Sequence, residues 1–287
     1  MGSIKALTLA GVVVLGAIAP AFAADLLPPP PMVEPPVVAP DISGWYLRGD
    51  VGVGVNEIGG FRSTLQPTNM LGGYAPATFN AYNELGDSAI IGAGVGYQIN
   101  NWFRADVTGE YRSSAPYRSG MGYTAFCGGA YCLDTYSSNI ASSVFLANGY
   151  VDLGTWYGVT PYIGAGVGLA HNHMGAMTDV GVGTGYAADR SSDNFAWAAM
   201  AGLAFSVTPN LKLDLGYRYL DMGSVRSNPI VCGYVTSCYF ETQSYHQAAH
   251  DFRIGFRYIL GDYGMGPVVA ANAPIFGGAP GPLVRKY

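Results

Sequence analysis

Between residues 44 and 260, eight segments alternate apolar with polar or small side chains, and the connections between them run long, short, long, short to the end. A two-residue period belongs to a strand with two chemically different faces. An even number of such strands, joined in turn by large loops and tight turns, describes a closed antiparallel ribbon with one elaborate end and one blunt end. The pattern predicts an all-β fold, an eight-stranded antiparallel transmembrane β-barrel. Closure is part of that prediction, because an open edge would leave backbone N–H and C=O groups unsatisfied in lipid.

The first segment, residues 44–55, places Trp45, Leu47, Val51, Val53 and Val55 on one face and Tyr46, Arg48, Asp50, Gly52 and Gly54 on the other. Residues 89–99 and 159–170 nearly repeat each other, with GAGVGY and GAGVGL setting glycines against Ile91, Val95, Ile163 and Val167. Residues 103–111 split Phe103, Val107 and Tyr111 from Arg104, Asp106 and Glu110. The remaining segments are 141–153, 195–207, 211–219 and 251–260. Each has roughly 9 to 13 residues, enough to cross a thin hydrocarbon layer at a tilt.

In a water-soluble barrel the apolar face would pack inward, and here the reverse is expected. Glycine recurs on the polar face and would make poor lipid contact, while the charges on that face have both signs and can neutralise one another across a narrow lumen. The expected interior ion network is Arg48, Asp50, Arg104, Asp106, Glu110, Asp152, Lys212, Asp214, Arg218, Arg253 and Arg257. Eight strands leave room for packed side chains rather than a wide pore. With Arg112 counted, bases exceed acids, so tyrosine or water must complete the network. Trp45, Tyr97, Trp102, Tyr111, Trp156, Tyr217, Tyr219 and Tyr258 fall near strand ends, where amphipathic rings suit the headgroup levels.

Residues 1–23 have the form of a secretory signal peptide: Lys5, an apolar run, then small residues at Ala21 and Ala23. Residues 24–43 are proline-rich and read as an extended periplasmic leader, and residues 261–287 as a tail, also periplasmic. With both termini there, the short links near residues 100, 155 and 209 are periplasmic. The long connections, 56–88, 112–140, 171–194 and 221–246, then face the exterior as irregular loops. Charged residues make up only 11% of the chain, against 41 glycines and 21 tyrosines, which argues against a solvated enzyme surface. A net charge of -5 gives no basic face for nucleic acid. An exported chain meets an oxidising compartment, and the local pairings Cys127–Cys132 and Cys232–Cys238, each inside one long connection, are the expected disulfides among the three possible pairings.

Neither a nucleophile elbow, a zinc-protease motif nor a phosphate loop occurs, and GAGVG lies on alternating strands without the strand-to-helix context of a dinucleotide site. An Asp50–Asp106 catalytic pair would sit beside Arg48 and Arg104, for which salt bridging is the simpler account. His171 and His173 make a weak two-ligand set, expected on a solvated loop. No catalytic residue, metal site or cofactor is therefore expected.

The AFAAD export junction, the first strand GWYLRGDVG, the GAGVGY and GAGVGL pair and the ending FRIGFRY resemble the small β-barrel outer-membrane proteins of Alphaproteobacteria, the surface antigens of Brucella and Bartonella and their rhizobial relatives. The resemblance covers most of residues 44–260. It implies an OmpA-like barrel in the bacterial outer membrane, inserted by the outer-membrane assembly machinery and contacting lipid and lipopolysaccharide. It further implies a structural role in envelope integrity and in surface or host interaction. Haem binding within the family maps onto no particular residues here, and His171 and His173 are the first place to test it. The C-terminal PLVRKY is a candidate assembly signal. A narrow porin or solute channel is the competing expectation, with an outer-membrane enzyme a distant third.

Overall fold

The computed structural model describes residues 43–64, 78–123, 131–181, 183–232 and 241–260. Its strands are β1 (Gly44–Ser63), β2 (Thr78–Leu85), β3 (Ser88–Gln98), β4 (Phe103–Tyr123), β5 (Cys132–Asp152), β6 (Val159–Met174), β7 (Met177–Val180), β8 (Thr184–Ala187), β9 (Arg190–Ser206), β10 (Leu211–Arg226), β11 (Val231–Cys232) and β12 (Gln243–Ile259). Eight of them close a ring in the order β1, β3, β4, β5, β6, β9, β10, β12 and back to β1, every pair antiparallel. The other four extend one end: β2 pairs with β4, β7 with β5, β8 with β7 and β11 with β8.

The blunt end is built by local turn chemistry. Asn100 Oδ1 accepts from the backbone N–H of both Trp102 and Phe103 at 2.8 Å, an Asx turn that mimics a backbone turn. Thr208 Oγ1 does the same for Leu211 N–H at 3.0 Å. The turn between β5 and β6 uses positive φ at Gly154 (110°) and Gly158 (81°), a backbone region glycine enters without steric cost.

Side chains follow the predicted sidedness. Val51, Ile91, Val107, Phe145, Ile163, Phe195, Ile254 and Phe256 project outward, each at least half exposed, while Arg104, Arg112, Arg218 and Arg257 are at most 2% exposed. A continuous apolar belt around a ring with a charged centre is a surface made for hydrocarbon. The expected aromatic girdle also faces outward, from Trp45, Tyr97, Trp102, Trp156 and Tyr258 near the turn end to Tyr111 and Tyr217 at the other.

The walls are taller than the sequence pattern implies. β4 and β5 each have 21 residues and β1 has 20, so much of each long connection is regular β structure rather than irregular loop. The extension begins at a belt of irregularities: bulges at Gly59/Arg62, Arg112/Ala115 and Asp221/Ser224, and the break between β2 and β3. β-Bulges bend a strand and sharpen its twist. Here they also mark where sidedness inverts: above them Tyr117, Tyr136, Ile140, Met174, Val225 and Tyr245 point inward and are buried, whereas Arg62, Arg118, Asn139 and Arg226 are exposed.

Candidate functional site

The lower lumen is crossed by ion pairs. Arg48 bridges Asp50 and Asp106, both at 2.8 Å, and Arg253 reaches Asp50 at 3.1 Å. Higher up, Arg218 contacts Glu110 at 2.6 Å and Asp251 at 2.5 Å, and Arg112 contacts Asp251 at 2.9 Å. Toward the turn end, Arg104 pairs with Asp152 and Arg257 with Asp214, both at 3.1 Å. Lys212 is half-buried and makes no ion pair within 4 Å among the described residues.

Tyrosines complete what the acids leave. Tyr46 donates to Asp106 at 2.9 Å, Arg48 donates to the Tyr150 hydroxyl at 2.7 Å, and the Arg104 guanidinium lies 3.9 Å from the Tyr150 ring centroid and 4.6 Å from that of Tyr162. Desolvated guanidinium–aromatic contacts of this kind are worth about 2 kcal/mol. Glycine makes room for the large groups: a Cβ on Gly54 would lie 2.1 Å from an Arg112 guanidinium nitrogen, and one on Gly255 2.5 Å from an Asp50 oxygen.

Two members of this cluster are missing from the set read in the sequence. Asp251 is fully buried and joins two arginines, and Arg112 is its partner. Asp251 continues the alternation of Arg253 and Arg257, which was the available signal. It lies one step short of the polarity inversion, where the outward pattern has already faded.

Above the bulge belt the interior is apolar. Tyr117, Met121, Tyr136, Ile140, Met174, Met177, Ala187, Val225, Ile230 and Tyr245 form one buried cluster, with Tyr117 and Tyr245 stacked at 5.0 Å. Glu241 enters this plug and accepts from Tyr136 at 2.7 Å and Ser63 at 2.6 Å. Asp179 and Asp134 stand nearby. Burial, then repulsion from Asp134 and Glu241, raises Asp179 to about 7, and burial with repulsion from Glu241 raises Asp134 to about 6. Below the plug, the cavity bounded by Arg48, Asp50, Tyr150, Tyr162, Met200 and Arg218 measures about 20 Å³, space for a single water.

His171 and His173 are not on a loop. They lie on the outer face of β6, because the strand continues to Met174, and each already has a neighbour: Asp193 at 2.6 Å and Ser191 at 3.0 Å. No group of three or more His, Cys, Asp or Glu able to hold a metal occurs among the described residues. Cys132, at the start of β5, is disulfide-bonded. Cys127 and Cys238 lie outside the described residues, as do residues 1–42 and 261–287, on which the signal, leader and tail expectations fall.

A ring with a lipid-facing belt and an ion-filled centre is matched by one family model, described as an outer membrane protein beta-barrel domain, over residues 12–259. The chain belongs to this family. Among its relatives is an uncharacterised protein of Brucella suis biovar 1, 35% identical over 215 residues that cover 70% of this chain and 75% of the relative. The outer membrane protein PagN of Salmonella typhimurium is 28% identical, covering 75% and 89%. A candidate adhesin of Rickettsia typhi is 24% identical, covering 75% and 87%. This family member is therefore an outer-membrane protein of the small alphaproteobacterial barrel type, with adhesin-like relatives.

Proposed function

We propose that this barrel is a closed structural element of the outer membrane whose tall upper walls are held outside the cell for contact with surfaces or host molecules. The observation that carries this reading is the filled lumen: ion pairs and tyrosines below, an apolar plug above, and between them a cavity of about 20 Å³. A solute path needs a continuous wet passage, and neither layer offers one. The competing porin reading therefore has no passage to use.

A non-enzymatic role agrees with the adhesin-like relatives and with interior carboxylates that are engaged by arginines. The reading places the three short turns and both chain ends in the periplasm, with residues 1–23 removed on export. It also includes the local disulfides Cys127–Cys132 and Cys232–Cys238 at the outer rim. Lipid and lipopolysaccharide would contact the apolar belt, and the assembly machinery would insert the ring.

Two measurements on the full chain test it together. In planar bilayers the purified protein is expected to stay electrically silent, and protease added to intact cells is expected to cut only within the long connections. Stable single-channel conductance, or cleavage at the short turns from outside, would refute it.

A further inference from the structure

Of the fourteen Lys and Arg residues in the chain, seven lie in the lumen and three lie in segments outside the described residues. The remaining four, Arg62, Arg118, Arg190 and Arg226, are on the upper walls. Three of those four line a single groove of about 570 Å³, with Ser192, Ser224, Ser244 and His246 beside them and no carboxylate in its lining. This concentration contrasts with the lumen, where nearly every guanidinium has an acid.

The register explains the grouping. Ser244 on β12 stands between Arg62 on β1 and Arg226 on β10 in one cross-strand row. Two strand spacings put the arginines about 10 Å apart. Arg190 joins from the side because β9 pairs with β10 only as far as Trp197 opposite Asp221. Above that point the two walls part, and Asn228 spans the gap, accepting from Arg190 and donating to Asp189 O at 2.9 Å. The nearest outward acid, Asp221, is taken by His246 at 2.8 Å. No ion pair engages Arg62, Arg190 or Arg226 among the described residues.

Height separates the groove from the membrane. On β12 the last lipid-facing apolar residue is Phe252, and Ser244 lies eight residues further up the wall. At roughly 3.3 Å per residue and a tilt near 40°, that is about 20 Å above the belt. The headgroup layer is only about 5 to 8 Å deep, so lipid phosphates lie well below the groove.

We propose that Arg62, Arg190 and Arg226 form a docking groove for a soluble saccharide chain carrying clustered sulfate or phosphate esters. Planar guanidinium groups bind such esters through paired N–H donors, and the serine hydroxyls supply partners for sugar hydroxyls. Nucleic acid fits less well: the chain is net acidic, and the groove presents no exposed stacking platform. The proposal deepens the surface-contact reading and rests on its outward placement of the upper walls.

The test uses the full chain in detergent micelles with a heparin octasaccharide as probe, followed by calorimetry at increasing salt. Saturable binding that weakens with salt is expected, with a loss of about tenfold or more in the R62A/R226A pair. Arg118→Ala is the control, since Arg118 is exposed on β4, in register with Glu84 and away from the groove. Absence of saturable binding, equal loss in the Arg118 variant, or equal affinity for a carboxylate-only hyaluronan of matched length would overturn the proposal. So would full competition by lipopolysaccharide micelles, which would assign the groove to the cell's own leaflet. Binding in micelles without binding to intact expressing cells would leave the groove's chemistry standing and overturn the outward placement, and the soluble occupant with it.

Discussion

The lower and upper halves of this ring are made by the same strands under opposite rules. Along β4 the lower inward positions are Arg104, Asp106, Glu110 and Arg112, and beyond the bulge they become Ala115, Tyr117 and Met121. Outward, Phe103, Val107 and Tyr111 give way to Arg118. Lipid rewards an apolar exterior and leaves the polar atoms to find partners inside, whereas water drives apolar groups inward. One chain satisfies both solvents by reversing its pattern where the bulges occur. A bulge adds an unpaired residue, and adding one residue exchanges the two faces of a strand.

That difference predicts unequal responses to mutation. The largest effect is expected at Arg218, whose removal leaves Glu110 and Asp251 buried with less neutralisation. Arg218→Ala should cost about 3–5 kcal/mol, as breaking a buried pair does, read as a lowered urea midpoint of the protein refolded in lipid. An unchanged midpoint would mean that the lumen is wetter than its geometry implies. Next comes the exterior. Ile254→Arg, in the belt, should destabilise by about 2–4 kcal/mol, while Asn139→Arg on the exposed upper wall should stay within about 0.5 kcal/mol. Similar penalties at both positions would erase the proposed boundary between lipid and water.

The same reversal decides how much could be read from the sequence. The eight lower strands and all three turns were legible, because the outward apolar stripe runs unbroken through segments such as Phe252, Ile254, Phe256 and Tyr258. The upper walls were not, because the stripe changes face. Residues 112–140 contain Ser113 and Ser114, then an inward run of Ala115, Tyr117 and Met121 in the opposite phase, and a reader following one phase stops at Tyr111. His171 was assigned to a loop for the same reason: it is the first polar residue after Leu169 on the outer face of β6, a change of solvent rather than the end of a strand. The arginine groove had no linear signal at all. Its members are separated by more than a hundred residues and meet only through the β1–β12–β10 register and the parting of β9 from β10.

The smallest predicted effect lies in the acid cluster of the plug. Asp179 and Asp134 carry folded-state values of about 7 and about 6, raised by burial first and by neighbouring carboxylates second. An unfolded aspartate titrates near 3.9, so between about pH 4 and pH 7 the folded cluster binds more protons than the opened one. Stability then falls as pH rises through that window, the reverse of a salt-bridged acid. The β7–β8 hairpin should accordingly open more readily at pH 8 than at pH 5, seen as faster amide exchange after correction for intrinsic rates. The ion-paired lower strands should show no such trend over the same range. Asp179→Asn with Asp134→Asn should abolish the difference. If the hairpin amides stay equally protected at both pH values in the unmodified chain, the carboxylates are neutralised by something other than protons, and the plug is not the pH-sensitive half of the molecule.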